Sequence, residues 1–297
     1  MLPLIYHPVY SDFPLPDGHR YPLQKYRLLF ERLQRLGLPV EFHQPSPTTR
    51  KVIDAVHDPA YVSQLLAGDL PLVKMRRIGF PWSEALITRC LTSLGGTTLT
   101  VDHALDSGLA IHLTGGYHHA HYDFGSGFCL FNDLMIAARH ALTQPGIDKV
   151  MIVDCDVHHG DGTAALAADH PDIVTFSVHC EKNFPSRKPP SDLDLPLPKG
   201  TADQDYLSAF LPLLDLALAQ YRPDMVIYDA GVDVHQADAL GYLALSIEGI
   251  YQRDSGVLSR CADHDIPVAA VIGGGYHDSH ANLIPLHEQL IQAAIAR

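Results

Sequence analysis

The chain has 297 residues, 46% apolar and 19% charged, with 22 glycines and 22 prolines, which excludes a disordered or collagen-like chain and supplies a large core. Lys and Arg number 21 against 34 Asp and Glu, so the formal net charge of −13 argues against general affinity for nucleic acid or anionic membrane. No apolar run reaches the about 18 residues of a membrane span, and Met1–His7 lacks the features of a signal peptide, so a cytoplasmic protein is expected.

In chain order, Pro22–Leu36 reads as a helix opened by a first-turn proline and closed by Gly37, and Ser83–Asp106 as a long second helix. An apolar strand run follows at Leu109–Leu113, then a helix at Asp133–Leu142 and strands at Val150–Val153 and Ile173–Val178. Helix Asp203–Tyr221, strand Met225–Tyr228, helix Ile247–His264 and strand Val268–Ile272 complete the pattern. The alternation predicts an α/β fold with a mostly parallel sheet. Pro212 is expected to bend or split its helix, because it lacks a donor and crowds the preceding turn. Pro185–Gly200 reads as one long surface loop at the rim of a binding site.

Ligands in open parallel sheets bind beyond the carboxyl ends of the strands, and four of these ends carry polar groups. They are Gly115-Gly116-Tyr117-His118-His119-Ala120, Asp154-Cys155-Asp156-Val157-His158-His159-Gly160-Asp161-Gly162, Asp229-Ala230-Gly231-Val232-Asp233 and Gly273-Gly274-Gly275-Tyr276-His277. If the second remains extended, Asp154, Asp156 and His158 share a face. Their oxygen and nitrogen donors suit Zn²⁺ or another divalent first-row ion, and Asp233 would complete a three-ligand site with a position open to water. Standing alone, D-x-D-x-H would more often be a capped turn with a surface histidine; three neighbouring polar strand ends reverse that weighting.

The pair His118-His119 offers a proton acceptor and a donor. Asp154 and Asp161 are either carboxylates orienting these rings or helix caps. Tyr276, after three glycines, carries a phenol suited to an oxyanion, and the glycines match no phosphate-loop fingerprint. Cys155 reads as a small core residue, and the five scattered cysteines as free thiols. His159, His179, His277 and His280 read as hydrogen-bonded loop residues.

These segments, with Gly127-Phe128-Cys129, the His19–Tyr26 region, and Tyr228–Asp233 with Leu240-Gly241, resemble the zinc-dependent histone deacetylase family along nearly the whole chain. Gly95-Gly96-Thr97 and the spacing from Ala230 to Ser246 are most similar to the class IV branch and its bacterial relatives. The resemblance implies one catalytic domain over residues 1–297 with the arginase/deacetylase fold, an α/β domain with a central, predominantly parallel eight-stranded sheet flanked by helices. It implies Asp156, His158 and Asp233 as ligands of one zinc ion, His119 as general base, and His118 as electrostatic partner or proton donor. Asp154 would orient His118, Asp161 would orient His119, and Tyr276 would polarise the acyl carbonyl. Asp154, Asp156, His158, Ser177 and Val178 would surround a structural potassium ion, and Gly127, Phe128 and Phe184 would line a narrow tunnel. Tyr117, in place of a bulkier aromatic, and the loop Lys182–Lys199 depart from the family pattern.

The activity so implied is metal-assisted hydrolysis of the side-chain amide of acyl-lysine in a protein or peptide. An apolar Leu240 at the family's gatekeeper position resembles acyl-lysine enzymes rather than those acting on cationic polyamines. The competing expectations are an acetylpolyamine amidohydrolase acting on a small acylated amine, a two-manganese ureohydrolase, and a non-catalytic acyl-lysine binding module.

Overall fold

The computed structural model describes residues 1–297. Its strands are β1 (Leu2–Ile5), β2 (Val40–His43), β3 (Leu109–His112), β4 (Val150–Asp154), β5 (Ile173–Cys180), β6 (Leu193–Leu197), β7 (Met225–Asp229) and β8 (Val268–Val271). The helices are α1 (Lys25–Leu36), α2 (Arg50–Asp54), α3 (Pro59–Ala67), α4 (Leu72–Ile78), α5 (Glu84–Ser107), α6 (Asp133–Ala141), α7 (Asp161–Ala167), α8 (Asp203–Tyr221), α9 (Ile247–Asp263) and α10 (Ile284–Ile295). The eight strands form a single sheet in the order β2-β1-β3-β8-β7-β4-β5-β6, and every pairing is parallel.

Burial of both sheet faces explains why β3, β4, β7 and β8 are apolar runs broken only by His112 and the terminal aspartates, whereas β5, though buried throughout, alternates Val174, Phe176, Val178 and Cys180 with Thr175, Ser177 and His179. Helices end where the chain provides the chemistry: Ser83 and Asn132 side chains cap α5 and α6, and Gly37 and Gly108 close α1 and α5 in the left-handed region. No helix is long and apolar enough to cross a membrane.

Three expectations are corrected. Pro185–Gly200 is not one loop, because Leu193–Leu197 pairs with β5 as an edge strand, from Phe176↔Leu193 to Cys180↔Leu197. Leu193, Leu195 and Leu197 face the sheet in alternation, and an edge position tolerates Pro196. Pro212 does not split α8; it and Ser208, whose carbonyl loses its helical donor, both lie on the exposed face where water substitutes. Finally, α1 begins at Lys25 rather than Pro22, after a turn in which Lys25 N–H donates to the Pro22 carbonyl at 3.0 Å.

The order β3-β8-β7-β4 sets the four polar strand ends side by side at the centre of the sheet. The fully buried Arg253 of α9 ties two of them together. Its Nη1 donates to the carbonyls of Gly231 (2.6 Å), after β7, and Cys155 (3.3 Å), after β4, while Asp254 neutralises it at 2.8 Å and accepts from Tyr228 Oη at 2.6 Å. Removing one partner leaves a buried charge alone, so Arg253→Ala is expected to cost about 3–5 kcal/mol in urea unfolding. A loss below about 1 kcal/mol, the range of exposed ion pairs, would contradict this bracing role.

Candidate active site

The residues after β4 do not remain extended. Asp154 Oδ1 accepts from Asp156 N–H at 3.1 Å and Asp156 Oδ1 from His158 N–H at 2.8 Å, two successive Asx turns that bend the chain. Convergence of Asp156 and His158 therefore comes from short carboxylates capturing backbone two residues on, not from strand alternation. Asp233 arrives from the loop after β7, where its Oδ1 accepts from Val157 N–H at 2.8 Å.

Ligand atoms of Asp156, His158 and Asp233 lie within 4.8 Å of one another, and all three residues are buried. His158 Nδ1 is 2.9 Å from Asp156 Oδ1 and 3.2 Å from Asp233 Oδ2. Burial works to lower the pKa of His158, but hydrogen bonds to the two carboxylates outweigh it and raise it to about 10. Burial and the neighbouring Asp156 push Asp233 up to about 7. Two carboxylates crowded around one imidazole call for a positive charge, and one nitrogen with hard oxygens fits a divalent first-row ion. The third glycine run supports the trio: Gly274 N–H donates to Asp156 Oδ2 at 3.0 Å, and a Cβ there would collide with the Asp233 carboxylate.

The histidine pair sits beside this cluster, each ring held by its own carboxylate. His118 Nδ1 donates to Asp154 Oδ2 at 2.7 Å and His119 Nδ1 to Asp161 Oδ1 at 2.6 Å, while their Nε2 atoms are 3.1 Å apart. Burial opposes charge on His118, yet Asp154 and Asp156 outweigh it and hold its pKa well above the ordinary range. Burial and the adjacent His118 charge push His119 down to about 3. The shifts favour the proton on His118, and with Nδ1 donating to Asp161 the lone pair of His119 lies on Nε2, facing His118 Nε2.

Tyr276 completes the group. Its N–H donates to Asp238 Oδ2 at 2.6 Å, and burial raises its pKa well above the usual phenol value, so it stays a hydroxyl donor. His118, His119, Asp156, His158, Asp161 and Tyr276 line one cavity of about 1000 Å³ whose lining also includes Gly127, Phe128, Phe184 and Leu240. The Phe184 ring stands 4.9 Å from that of His119, and Phe128 is 6.0 Å from Tyr276. Gly127 and Phe128 both have positive φ, and a Cβ on Gly127 would strike the His119 ring, so the turn requires glycine there. Of the residues expected around a potassium ion, Asp154 pairs across from Ser177 in the β4–β5 register, and Val178 follows it, all buried.

Several positioning residues escaped the sequence reading. Asp133 accepts from Tyr117 N–H (2.7 Å) and Gly116 N–H (3.3 Å), fixing the turn that carries the histidine pair. Asp238 accepts from Tyr276, Leu240 and Gly241 N–H, so it ties the backbone at Tyr276 to the Leu240 turn. Lys25 Nζ donates to the carbonyls of Gly273, at 3.1 Å, and Gly274. His121, whose Nε2 is 2.9 Å from Asp161 Oδ2, was detectable as the second member of an H-x-H spacing. Tyr117 fits its place because its hydroxyl meets Ser93 (2.9 Å) and Thr114 (3.0 Å). Cys155 is buried, as expected of a core residue, and all five cysteines are free. Among the other histidines, His159 Nε2 is 3.1 Å from Asp194 Oδ1, His179 Nδ1 is 3.1 Å from Ser177 Oγ, His277 Nδ1 accepts from Ser279 N–H at 3.0 Å and His280 Nδ1 from Gln24 N–H at 3.4 Å. Of these, His159 and His179 with Asp194 form a second cluster whose ligand atoms lie within 4.8 Å.

The family model described as the histone deacetylase domain matches residues 19–288. An uncharacterized protein of Picosynechococcus sp. is 47% identical over 98% of each chain. Histone deacetylase 2 of Arabidopsis thaliana is 32% identical over 64% of this chain and 50% of its own length, so this chain spans nearly all of the first relative and half of the second. The crystal structure of the HDA15 HD domain superposes with a TM-score of 0.82 at 19% identity, covering 99% of this chain and 90% of that one, a likeness of fold.

Proposed function

This chain belongs to the histone deacetylase domain family, and from that premise we propose that it is a zinc-dependent hydrolase removing an acetyl or longer acyl group from the side-chain amine of acyl-lysine. The observation that carries the reading is the convergence, under one cavity, of Asp156, His158 and Asp233 with two carboxylate-held histidines and a phenol donor. Asp156, His158 and Asp233 would hold the ion, which when bound supplies Lewis acidity that lowers the pKa of water and polarises a carbonyl. Neutral His119 accepts the proton of the attacking water at Nε2, and Asp161 supports the imidazolium that forms. Tyr276 donates its hydroxyl hydrogen bond to the oxyanion as charge develops on the carbonyl oxygen. His118, oriented by Asp154, donates a proton to the departing amine, which relieves the repulsion between the two rings once His119 is charged, so the products are a free amine and a carboxylate. Phe128 and Phe184 exclude water along the acyl-lysine stem, with Gly127 giving the His119 ring room and Leu240 standing at the mouth. Asp154 and Ser177, with Val178 and the backbone of Asp156 and His158, are proposed to surround a potassium ion.

A panel of acetyl-lysine, long-chain acyl-lysine and acetylspermidine, assayed with and without a chelator, tests this. The expected result is chelator-sensitive hydrolysis of acyl-lysine that returns with added Zn²⁺. Preference for acetylspermidine, urea release from guanidino compounds, or acyl-peptide binding without hydrolysis would each overturn the reading in favour of a different one.

A further inference from the structure

The chain carries an excess of 13 negative charges, yet the cavity mouth reverses that sign. Arg77, Lys182, Arg187 and Lys188 line it, whereas the acidic residues in the lining, Asp156 and Asp161, are buried and engaged with histidines. The four cations are not equivalent. Lys188 is structural: its Nζ donates to the carbonyls of Glu181 (3.2 Å), Asn183 (2.8 Å) and Pro185 (2.6 Å), folding the loop that presents the others. Lys182 has only a loose, exposed contact with Glu181 at 3.7 Å. Arg77 and Arg187 are exposed and make no ion pair with any carboxylate. Arg77 is held in place by the Phe124 ring, 3.7 Å from its Cζ, and outside the lining Lys199 lies 4.5 Å above the ring of Tyr242, itself a lining residue.

Stacking an arginine on an aromatic ring orients its guanidinium without neutralising it, so the charge remains available to an incoming group. The segment is also anchored to the gatekeeper loop, since Asn183 donates to the Leu240 carbonyl at 2.8 Å and accepts from Tyr242 N–H at 3.0 Å. Arg77 therefore occupies a defined place at the opening, and Asn183 and Lys188 fix the backbone of the segment that carries Arg187. We propose that the mouth selects acyl-lysine flanked by aspartate or glutamate in a peptide or protein, with Arg77 and Arg187 as the specificity-determining residues. The proposal rests on the acyl-lysine reading above, and it disfavours cationic substrates such as acylated polyamines through like-charge repulsion.

The test compares acetyl-lysine peptides with acidic, alanine and basic flanks by kcat/KM, and by anisotropy of fluorescein-labelled versions, at low salt and at about 1 M, where screening lengths shrink to about 3 Å. At low salt the acidic peptide should exceed the basic one about tenfold, and this ratio should fall to about twofold or less in high salt. The double variant Arg77→Gln/Arg187→Gln should compress the low-salt ratio to about threefold or less. An acidic peptide with unmodified lysine should not compete. A flat or inverted ratio, a ratio unmoved by the double variant, or equal competition by the unmodified peptide, which would mark a general polyanion surface, overturns the proposal. Should the metal-loaded protein leave the alanine-flanked peptide uncut, the hydrolase reading fails, and the binding ratio still decides the flank preference by the same criteria.

Discussion

His119→Ala is expected to lower turnover of an acetyl-lysine peptide by about 10²- to 10⁴-fold, the usual contribution of a positioned general base, while zinc content per chain stays unchanged. The two halves of that expectation come from different atoms. His119 contributes no atom to the trio of Asp156, His158 and Asp233, so the ion should be retained. Its Nε2 carries the lone pair left after Nδ1 donates to Asp161; burial and the neighbouring His118 favour the neutral ring, and Asp161 offsets the charge it gains on accepting a proton. Steady-state kinetics combined with metal analysis of the same preparation measures both. Turnover within about threefold of the parent would remove His119 from the proton-transfer role.

The second large effect is expected at Tyr276. Phenylalanine keeps the ring that faces Phe128 and removes only the hydroxyl, so KM should change little while kcat falls about 10²- to 10³-fold, as for loss of one oxyanion donor. Burial alongside Asp156 and Asp233 keeps the phenol protonated far above neutral pH, so the hydroxyl acts as donor across the working range. A rise in KM with kcat preserved would instead place Tyr276 in ground-state binding.

The parts of the fold that could be read from residues alone are those where burial is symmetric. Strands β3, β4, β7 and β8 are largely apolar on both faces and stand out as runs, and their carboxyl ends identified the region that carries the site. Strands β1, β2 and β6 do not, since Leu2–Ile5 contains a proline, Val40–His43 alternates Val40 and Phe42 with Glu41 and His43, and Leu193–Leu197 contains a proline among polar neighbours. Within the site, the D-x-D-x-H spacing identified Asp156 and His158, but the geometry that joins them was misread, because Asx turns depend on backbone direction that alternation does not encode. Asp133, Asp238 and Lys25 were invisible for another reason. Each acts on backbone groups far away in sequence, and nothing in its neighbours distinguishes it from an ordinary helix-start or loop residue.

Three clusters in this chain have the donor set for a metal ion: Asp156, His158 and Asp233; His159, His179 and Asp194; and His118, Asp154 and Asp229. Anomalous scattering at the zinc edge from a zinc-soaked crystal separates them directly. The account predicts one peak about 2.0–2.2 Å from Asp156, His158 and Asp233, within reach of His119 and Tyr276. No peak at those three side chains, or density only between His159, His179 and Asp194, would contradict it.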